Sequence, residues 1–212
     1  MLNESRAQRP LGNPTLPGNS EHLGQLRGNF AFLRGFMRHP AQVGSVVPSS
    51  KRLRDLLVRQ AHLAQARTVV ELGPGTGGTT ASFLNALHPA AHLLAIELDA
   101  DFHAHLSQSL SDPRLALELG SAERLEEFLA SRRLHAPDAI ISGIPFSTMP
   151  AEVSDRVAQA VSRALKPGGR FVAYQVRAHV ADFVSPYLGE ADRRWEPVNV
   201  PPVRVFTWIK PV

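Results

Sequence analysis

The chain has 212 residues, 43% of them hydrophobic and 20% charged, with 23 Lys and Arg against 19 Asp and Glu. That length can bury one sizeable core, and the absence of cysteine excludes disulfides, thiol catalysis and cysteine-based zinc sites together. No apolar run approaches the ~20 residues of a membrane span, and the N-terminus lacks the apolar core of a secretory signal, so the expected compartment is the cytoplasm.

The positive charge is uneven. Residues 1–67 carry ten Lys and Arg against three Asp and Glu, whereas the remainder carries thirteen against sixteen. A basic N-terminal third suggests an anionic partner, either nucleic acid or a membrane surface. The nine histidines are scattered: His103 and His105 point to different faces of a helix, and Pro89 interrupts His88 and His92. No metal is expected.

Residues 1–20, rich in Pro, Gly and Asn and poor in apolar side chains, read as a disordered tail. A helix follows from Glu21 to Arg38, stopped by Pro40. Leu23, Leu26, Phe30, Leu33 and Met37 recur on it at alternating spacings of three and four, a single apolar stripe edged by Arg27, Arg34 and Arg38. Guanidinium groups in that position can reach lipid phosphates while the stripe lies in a bilayer surface. Gly24, Gly28 and Gly35 each weaken the helix by ~1 kcal/mol, so it needs an external surface or the core to pack against. An accessory helix laid on the core is the other reading. Next comes Val43-Gly-Ser-Val-Val-Pro-Ser-Ser50, whose last serine can cap a helix from Lys51 to about Leu63.

From residue 67 onward the pattern alternates strand and helix, as a doubly wound parallel sheet requires. Strands are expected near 67–72, 92–97, 114–119, 138–142, 170–176, 194–200 and 203–209. Helices are expected near 78–87, 100–110, 123–133, 151–165 and 179–188. This divides the chain into a tail (1–20), N-terminal amphipathic and accessory helices (21–66) and a ligand-binding domain (67–212).

The most informative segment is Val69-Val-Glu71-Leu-Gly73-Pro74-Gly75-Thr76-Gly77-Gly78, a strand running into a glycine loop that opens a helix. Glycine is needed there where φ is positive or a ligand approaches the backbone closely. Gly73-x-Gly75-x-x-Gly78 also satisfies the dinucleotide fingerprint, with Glu97 following at the end of the next strand to accept a ribose diol. Glu71 separates the alternatives. A carboxylate at that strand end suits the ammonium of S-adenosylmethionine (SAM) and repels a pyrophosphate. The helix-to-strand turn Leu165-Lys-Pro-Gly-Gly-Arg170 and the closing pair of strands around Pro201-Pro202 resemble the corresponding segments of SAM-dependent methyltransferases. The second chemical segment, Ser142-Gly143-Ile144-Pro145-Phe146, ends the fourth strand. Its Pro-aromatic pair is expected to offer a ring face to an acceptor nitrogen, a cation–π contact of ~0.5–2 kcal/mol.

These segments, together with Phe32-Leu-Arg34, His39-Pro40, Gly44-Ser-Val-Val-Pro-Ser-Ser50 and Pro201-Pro-Val-Arg204-Val, resemble the bacterial phospholipid N-methyltransferases, which methylate phosphatidylethanolamine, and relatives acting on ornithine lipids. The resemblance runs in order over residues 30–210. It implies a class I SAM-dependent methyltransferase: a Rossmann-like seven-stranded sheet with a terminal antiparallel hairpin and N-terminal accessory helices. It also implies a role at the inner face of the cytoplasmic membrane, attached through Leu26, Arg27, Phe30, Leu33, Arg34, Met37 and Arg38. SAM would be held by Glu71, Gly73, Pro74, Gly75, Thr76, Gly77, Glu97, Leu98, Ser121, Ala122 and Ser142. Pro145 and Phe146 would line the amine site, with Arg204 pairing the lipid phosphate and Tyr174 close enough to accept a hydrogen bond from the amine or relay its proton.

Two alternatives stay open. Distantly related rRNA adenine dimethyltransferases carry Asn-Leu/Ile-Pro-Tyr where this chain has Gly143-Ile-Pro-Phe146. They also carry Gly-Asp-Ala where it has Gly120-Ser121-Ala122, and a helical RNA-binding domain is not visible after the terminal strands. Loss of the Asn amide disfavours a planar adenine amine and makes nucleic acid an unlikely partner. The other alternative, a SAM-binding regulator without activity, sits poorly with Glu71, Glu97 and Pro145-Phe146 all being present.

Overall fold

The computed structural model describes residues 49–212. The expected membrane-binding residues Leu26, Arg27, Phe30, Leu33, Arg34, Met37 and Arg38, and the expected tail, lie outside these residues. Thirteen regular elements follow in chain order: α1 (Lys51–Gln60), β1 (Thr68–Leu72), α2 (Gly78–Ala86), β2 (His92–Glu97), α3 (Ala100–Ser109), β3 (Leu115–Leu119), α4 (Leu125–Ser131), β4 (Ala139–Ser142), α5 (Ala151–Ala164), β5 (Arg170–Gln175), α6 (Val180–Leu188), β6 (Asp192–Glu196) and β7 (Val203–Ile209). Short 3-10 turns precede β1 (Leu63–Gln65) and α4 (Ala122–Arg124).

The strands form one sheet in the order β3-β2-β1-β4-β5-β7-β6. The first five pair in parallel, and β7 is antiparallel to both β5 and β6. Every residue of β1 and β4 is buried, which explains their unbroken apolar runs: central strands covered on both faces have no solvent side to mark with polar residues. One face packs α4, α5 and α6 around Val70, Leu94, Ile140, Phe171, Phe206 and Trp208. The other packs α1 and α2 around Val69, Phe83, Leu93, Ile141, Val172 and Val205. The Trp208 ring stacks between Phe171 and Phe206 at centroid distances of 5.5 and 5.8 Å, so residues far apart in sequence weld β7 to the parallel half. Each such ring contributes about 1.5–3 kcal/mol by burial alone.

Ser50 caps α1 as expected, its hydroxyl accepting from Leu53 N at 3.1 Å. The helix stops at Gln60 instead of 63, and His62 adopts a left-handed φ of 51° that no helix continues through. The helix expected over 123–133 is shorter because a 3-10 turn capped by Ser121 occupies its start. The strand expected over 194–200 spans Asp192–Glu196 instead. Its second half is a turn, because Asn199 is buried and bonds Ser50 N (2.9 Å) and Pro201 O (3.0 Å) in place of a strand partner.

Candidate active site

The sheet's carboxyl edge is where the predicted residues converge. Beyond the last paired residues, Gly73 N donates to Ile96 O (3.0 Å), Gly120 N to Glu97 O (2.8 Å) and Gly143 N to Leu72 O (3.0 Å). These bonds extend the parallel ladder by one step, so the loops after β1 and β4 leave the sheet side by side and the loop after β3 leaves at the same level across β2. Gly73, Gly75 and Gly77 have φ of 74°, 56° and 83°, the left-handed region that only glycine adopts without strain. Gly77 opens α2, and a Cβ there would lie 2.5 Å from Leu106 Cδ2 on α3. The glycine spacing is thus a record of three backbone reversals that aim the first turn of α2 at the edge.

Two acids stand on adjacent strands. Glu71 is 2% exposed; its Oε1 accepts from the Thr79 hydroxyl at 2.6 Å, and its Oε2 is buried with no partner. Burial, only partly offset by the Thr79 hydroxyl, pushes its pKa up to about 7. Glu97 is 1% exposed; its Oε2 accepts from Gly75 N and its Oε1 from Asp99 N, each at 2.9 Å. Burial raises its pKa as well, against those backbone donors. An orphaned buried carboxylate oxygen costs free energy until a donor reaches it. A cation-bearing ligand with a diol relieves both acids, and a pyrophosphate would be repelled by them.

The acceptor side is built by β4 and β5. Ser142 is fully buried, its Oγ accepting from Ile144 N at 3.3 Å. A Cβ on Gly143 would sit 2.4 Å from Tyr174 Oη and 3.2 Å from Gly73 O. The phenol therefore occupies the space that a side chain at 143 would need. The Ser49 and Thr79 hydroxyls lie close enough to that hydroxyl to influence its proton. The Thr79 hydroxyl in turn donates to Glu71 Oε1, so Glu71, Thr79 and Tyr174 are polar neighbours at this edge. Burial first, and the nearby Glu71 charge second, hold the Tyr174 proton well above the ordinary tyrosine range. Tyr174 stays a neutral hydroxyl at physiological pH and cannot serve as a base.

Not every expected residue joins this cluster. Phe146 does not offer an open ring face: it is 1% exposed in the core, its centroid 6.4 Å from that of Phe183. The reason is the tight turn in which Phe146 N donates to Ile144 O at 3.0 Å, folding the ring inward and leaving the partly exposed Pro145 on the outside. Arg204 pairs with Gln175 across the β5–β7 register. Its Nη1 donates to Val176 O at 2.8 Å and its guanidinium lies 5.0 Å over the Trp195 ring. Ser121 bonds Glu123 through both its hydroxyl and Glu123 N (2.8 and 3.2 Å), next to buried Ala122. Pro74 is buried, Thr76 exposed and Leu98 half-buried. Sequence reasoning missed Thr79; a hydroxyl in the first turn after a glycine loop, eight residues beyond a strand-end acid, is the signal that could have found it. Among the described residues no group of three His, Asp or Glu is placed to hold a metal ion.

A methyltransferase-domain family model matches residues 69–169. The ornithine lipid N-methyltransferase of Singulisphaera acidiphila is 30% identical over 84% of this chain and 93% of its own length. The chain belongs to the bacterial lipid N-methyltransferase family. A ribosomal RNA small subunit methyltransferase A of Synechococcus is 29% identical over 64% of this chain, which spans about half (48%) of that relative. In fold the chain is similar to the N-methyltransferase NodS of Bradyrhizobium japonicum (TM-score 0.62, 13% identity, 76% of this chain and 96% of that one). It is also similar to the O-methyltransferase TomG of Streptomyces achromogenes, solved with SAM (TM-score 0.60, 16% identity, 85% and 89%). The protein is therefore a class I SAM-dependent methyltransferase, and the residues present fit that cofactor. Glu71 Oε2 awaits a donor, Glu97 stands where it can take a diol, and the glycine loop keeps side chains out of the way.

Proposed function

We propose that this methyltransferase acts on the amine head group of a membrane lipid, phosphatidylethanolamine or an ornithine lipid, at the inner face of the cytoplasmic membrane. The observation that carries this reading is Tyr174 Oη packed against Gly143. It leaves no place for a side-chain amide that would grip a planar base, and it sets one hydroxyl where an alkyl amine can donate to it. The sequence favours phosphatidylethanolamine; the name of the Singulisphaera relative favours an ornithine lipid, and the two readings are tested together below.

The bound cofactor supplies a methyl group already activated on a sulfonium. The chain's own residues have only to hold the amine in line and leave its nitrogen lone pair free. Glu71 and Glu97 fix the cofactor's charged and diol ends, and Ser142 and Gly143 form the wall beside them. Tyr174, held neutral, accepts a hydrogen bond from the amine and so orients it; the proton leaves to solvent. Tyr174→Phe should lower kcat/KM about two- to tenfold, the net value of one hydrogen bond, mostly in KM, with S-adenosylhomocysteine affinity nearly unchanged. An equal loss of S-adenosylhomocysteine affinity would assign the hydroxyl to the cofactor pocket instead.

The deciding assay offers methyl-labelled SAM with vesicles of phosphatidylethanolamine, vesicles of ornithine lipid, or small-subunit rRNA. Label in either lipid supports the proposal and names the head group, and label in RNA alone overturns it. The basic stripe outside the described residues is the proposed membrane anchor. Reversing Arg27, Arg34 and Arg38 to Glu should strip the protein from anionic vesicles, at ~1 kcal/mol per basic residue, and leave S-adenosylhomocysteine binding intact. Undiminished sedimentation of the triple variant would remove the helix from the membrane reading.

A further inference from the structure

We infer that the turn between β6 and β7, residues 197–202, is a second membrane-docking element that seats the acceptor site on the bilayer; this rests on the lipid-methyltransferase reading above. The turn is apolar at its surface. Val198 is 51% exposed, Val200 68% and Trp195, at the end of β6, 59%. Two aliphatic side chains exposed on one short turn that follows an exposed indole are apolar surface that water does not favour. Trp is the side chain best suited to the level of lipid head groups.

The turn is also built to project rigidly. Asn199, between the two valines, is buried (4% exposed) and bonds Ser50 N and Pro201 O, while Glu196 Oε1 accepts from Val198 N at 3.1 Å. With residue 199 pinned inward, 198 and 200 face out. Its place in the sheet matters as much. Because β7 runs antiparallel to β5, Arg204 pairs with Gln175, so the turn lies at the same carboxyl edge as Gly143 and Tyr174. Val176, 37% exposed, and Arg177 continue that edge, and Arg204 and Arg52 complete a basic rim, Arg52 lying 3.9 Å from the otherwise buried Glu196. Exposed apolar side chains at an edge that also carries Arg52, Arg177 and Arg204 match the chemistry of an anionic bilayer surface. The described chain begins at this place too, since Ser50 is tied to Asn199.

The test uses the full chain and vesicles of phosphatidylglycerol and phosphatidylethanolamine. Of the two tryptophans, Trp208 is fully buried, so an emission change on vesicle binding reports Trp195, as Trp195→Phe verifies by losing it. Brominated lipid should quench Trp195. Val198→Asp with Val200→Asp should weaken vesicle partitioning about tenfold or more and slow methylation of bilayer lipid. Methylation of a dispersed short-chain lipid amine, S-adenosylhomocysteine affinity and melting temperature should not change. Unquenched Trp195 or unaltered partitioning of the double variant, in a protein that still methylates lipid, overturns the docking inference alone. A lowered melting temperature in the variant also overturns it, by showing that another part of the chain covers the turn. A wild-type protein that binds no vesicle and methylates no lipid sinks the proposed function, and this inference with it.

Discussion

Glu71→Gln is expected to weaken S-adenosylhomocysteine binding by about ten- to a hundredfold, the value of one charge-assisted contact at ~1.5–3 kcal/mol, while making the free protein more stable at pH 8. Both effects come from the same oxygen. Oε2 is buried without a partner, so at pH 8 the carboxylate is a charge held in a dry site for a ligand that is not always there. With its pKa raised to about 7 from an ordinary 4.5, ionising it costs the free fold on the order of 3 kcal/mol; a neutral amide escapes that cost. The pH dependence has a definite sign. The folded state binds this proton more tightly than the unfolded state, so the contribution to stability is complete below about 4.5 and is lost as pH rises through about 7. Binding runs the other way, because the ligand's ammonium requires the carboxylate. Wild-type affinity should fall about tenfold between pH 8 and pH 6, with a proton released on binding near pH 7. Titration calorimetry in buffers of different ionisation enthalpy measures both. Affinity independent of pH, together with an unaffected Glu71→Gln, would place the ammonium elsewhere.

Gly143→Ala should be the most damaging single-methyl change in the site. The added Cβ would come within 2.4 Å of Tyr174 Oη and 3.2 Å of Gly73 O, closer than packed atoms tolerate. Something has to move. The phenol packs against the layer that holds Val172 and Val205, and the carbonyl belongs to a loop with left-handed glycines at 73, 75 and 77. Overpacking of this kind costs about 1–3 kcal/mol, and a displacement near 1 Å of either wall can cost about 10²-fold in turnover. We expect kcat/KM to drop by about that factor and melting to fall by a few degrees. Gly143→Asn, which would restore the residue found in the adenine enzymes' motif, should be worse. Wild-type kinetics in Gly143→Ala would mean that the Tyr174 hydroxyl does not stand at the acceptor position.

Local chemistry decided what could be read from the sequence. Five parallel strands were legible because buried apolar runs such as Val69-Val70 and Ile140-Ile141 leave little choice, and the loop was legible because three positive φ angles demand glycine at 73, 75 and 77. The misreadings fall where tertiary contacts decide. Arg194 to Val200 alternates like a strand, yet a buried Asn199 that finds its partners in Ser50 and Pro201 turns the second half away. Whether the ring of Phe146 points out or in depends on Phe183, 37 positions later. Thr79 acquires its meaning only when α2 lies back over β1 and its hydroxyl meets Glu71. Arg204 lies at the carboxyl edge opposite Gln175, but no sequence pattern announces the carbonyl and indole that hold it.

The strand order carries a consequence for how the molecule is made. β7 is the last strand in the chain yet sits inside the sheet, between β5 and β6. Until residues 203–209 leave the ribosome, β5 presents a bare edge along Phe171 to Gln175 and β6 has no partner at all. An open, apolar strand edge is a template for pairing with another nascent chain. The nascent protein is therefore exposed to aggregation until β7 is free to close the sheet. A stop codon or frameshift near residue 200 would leave a chain with every residue of the cofactor loop in place and no closed sheet to hold it.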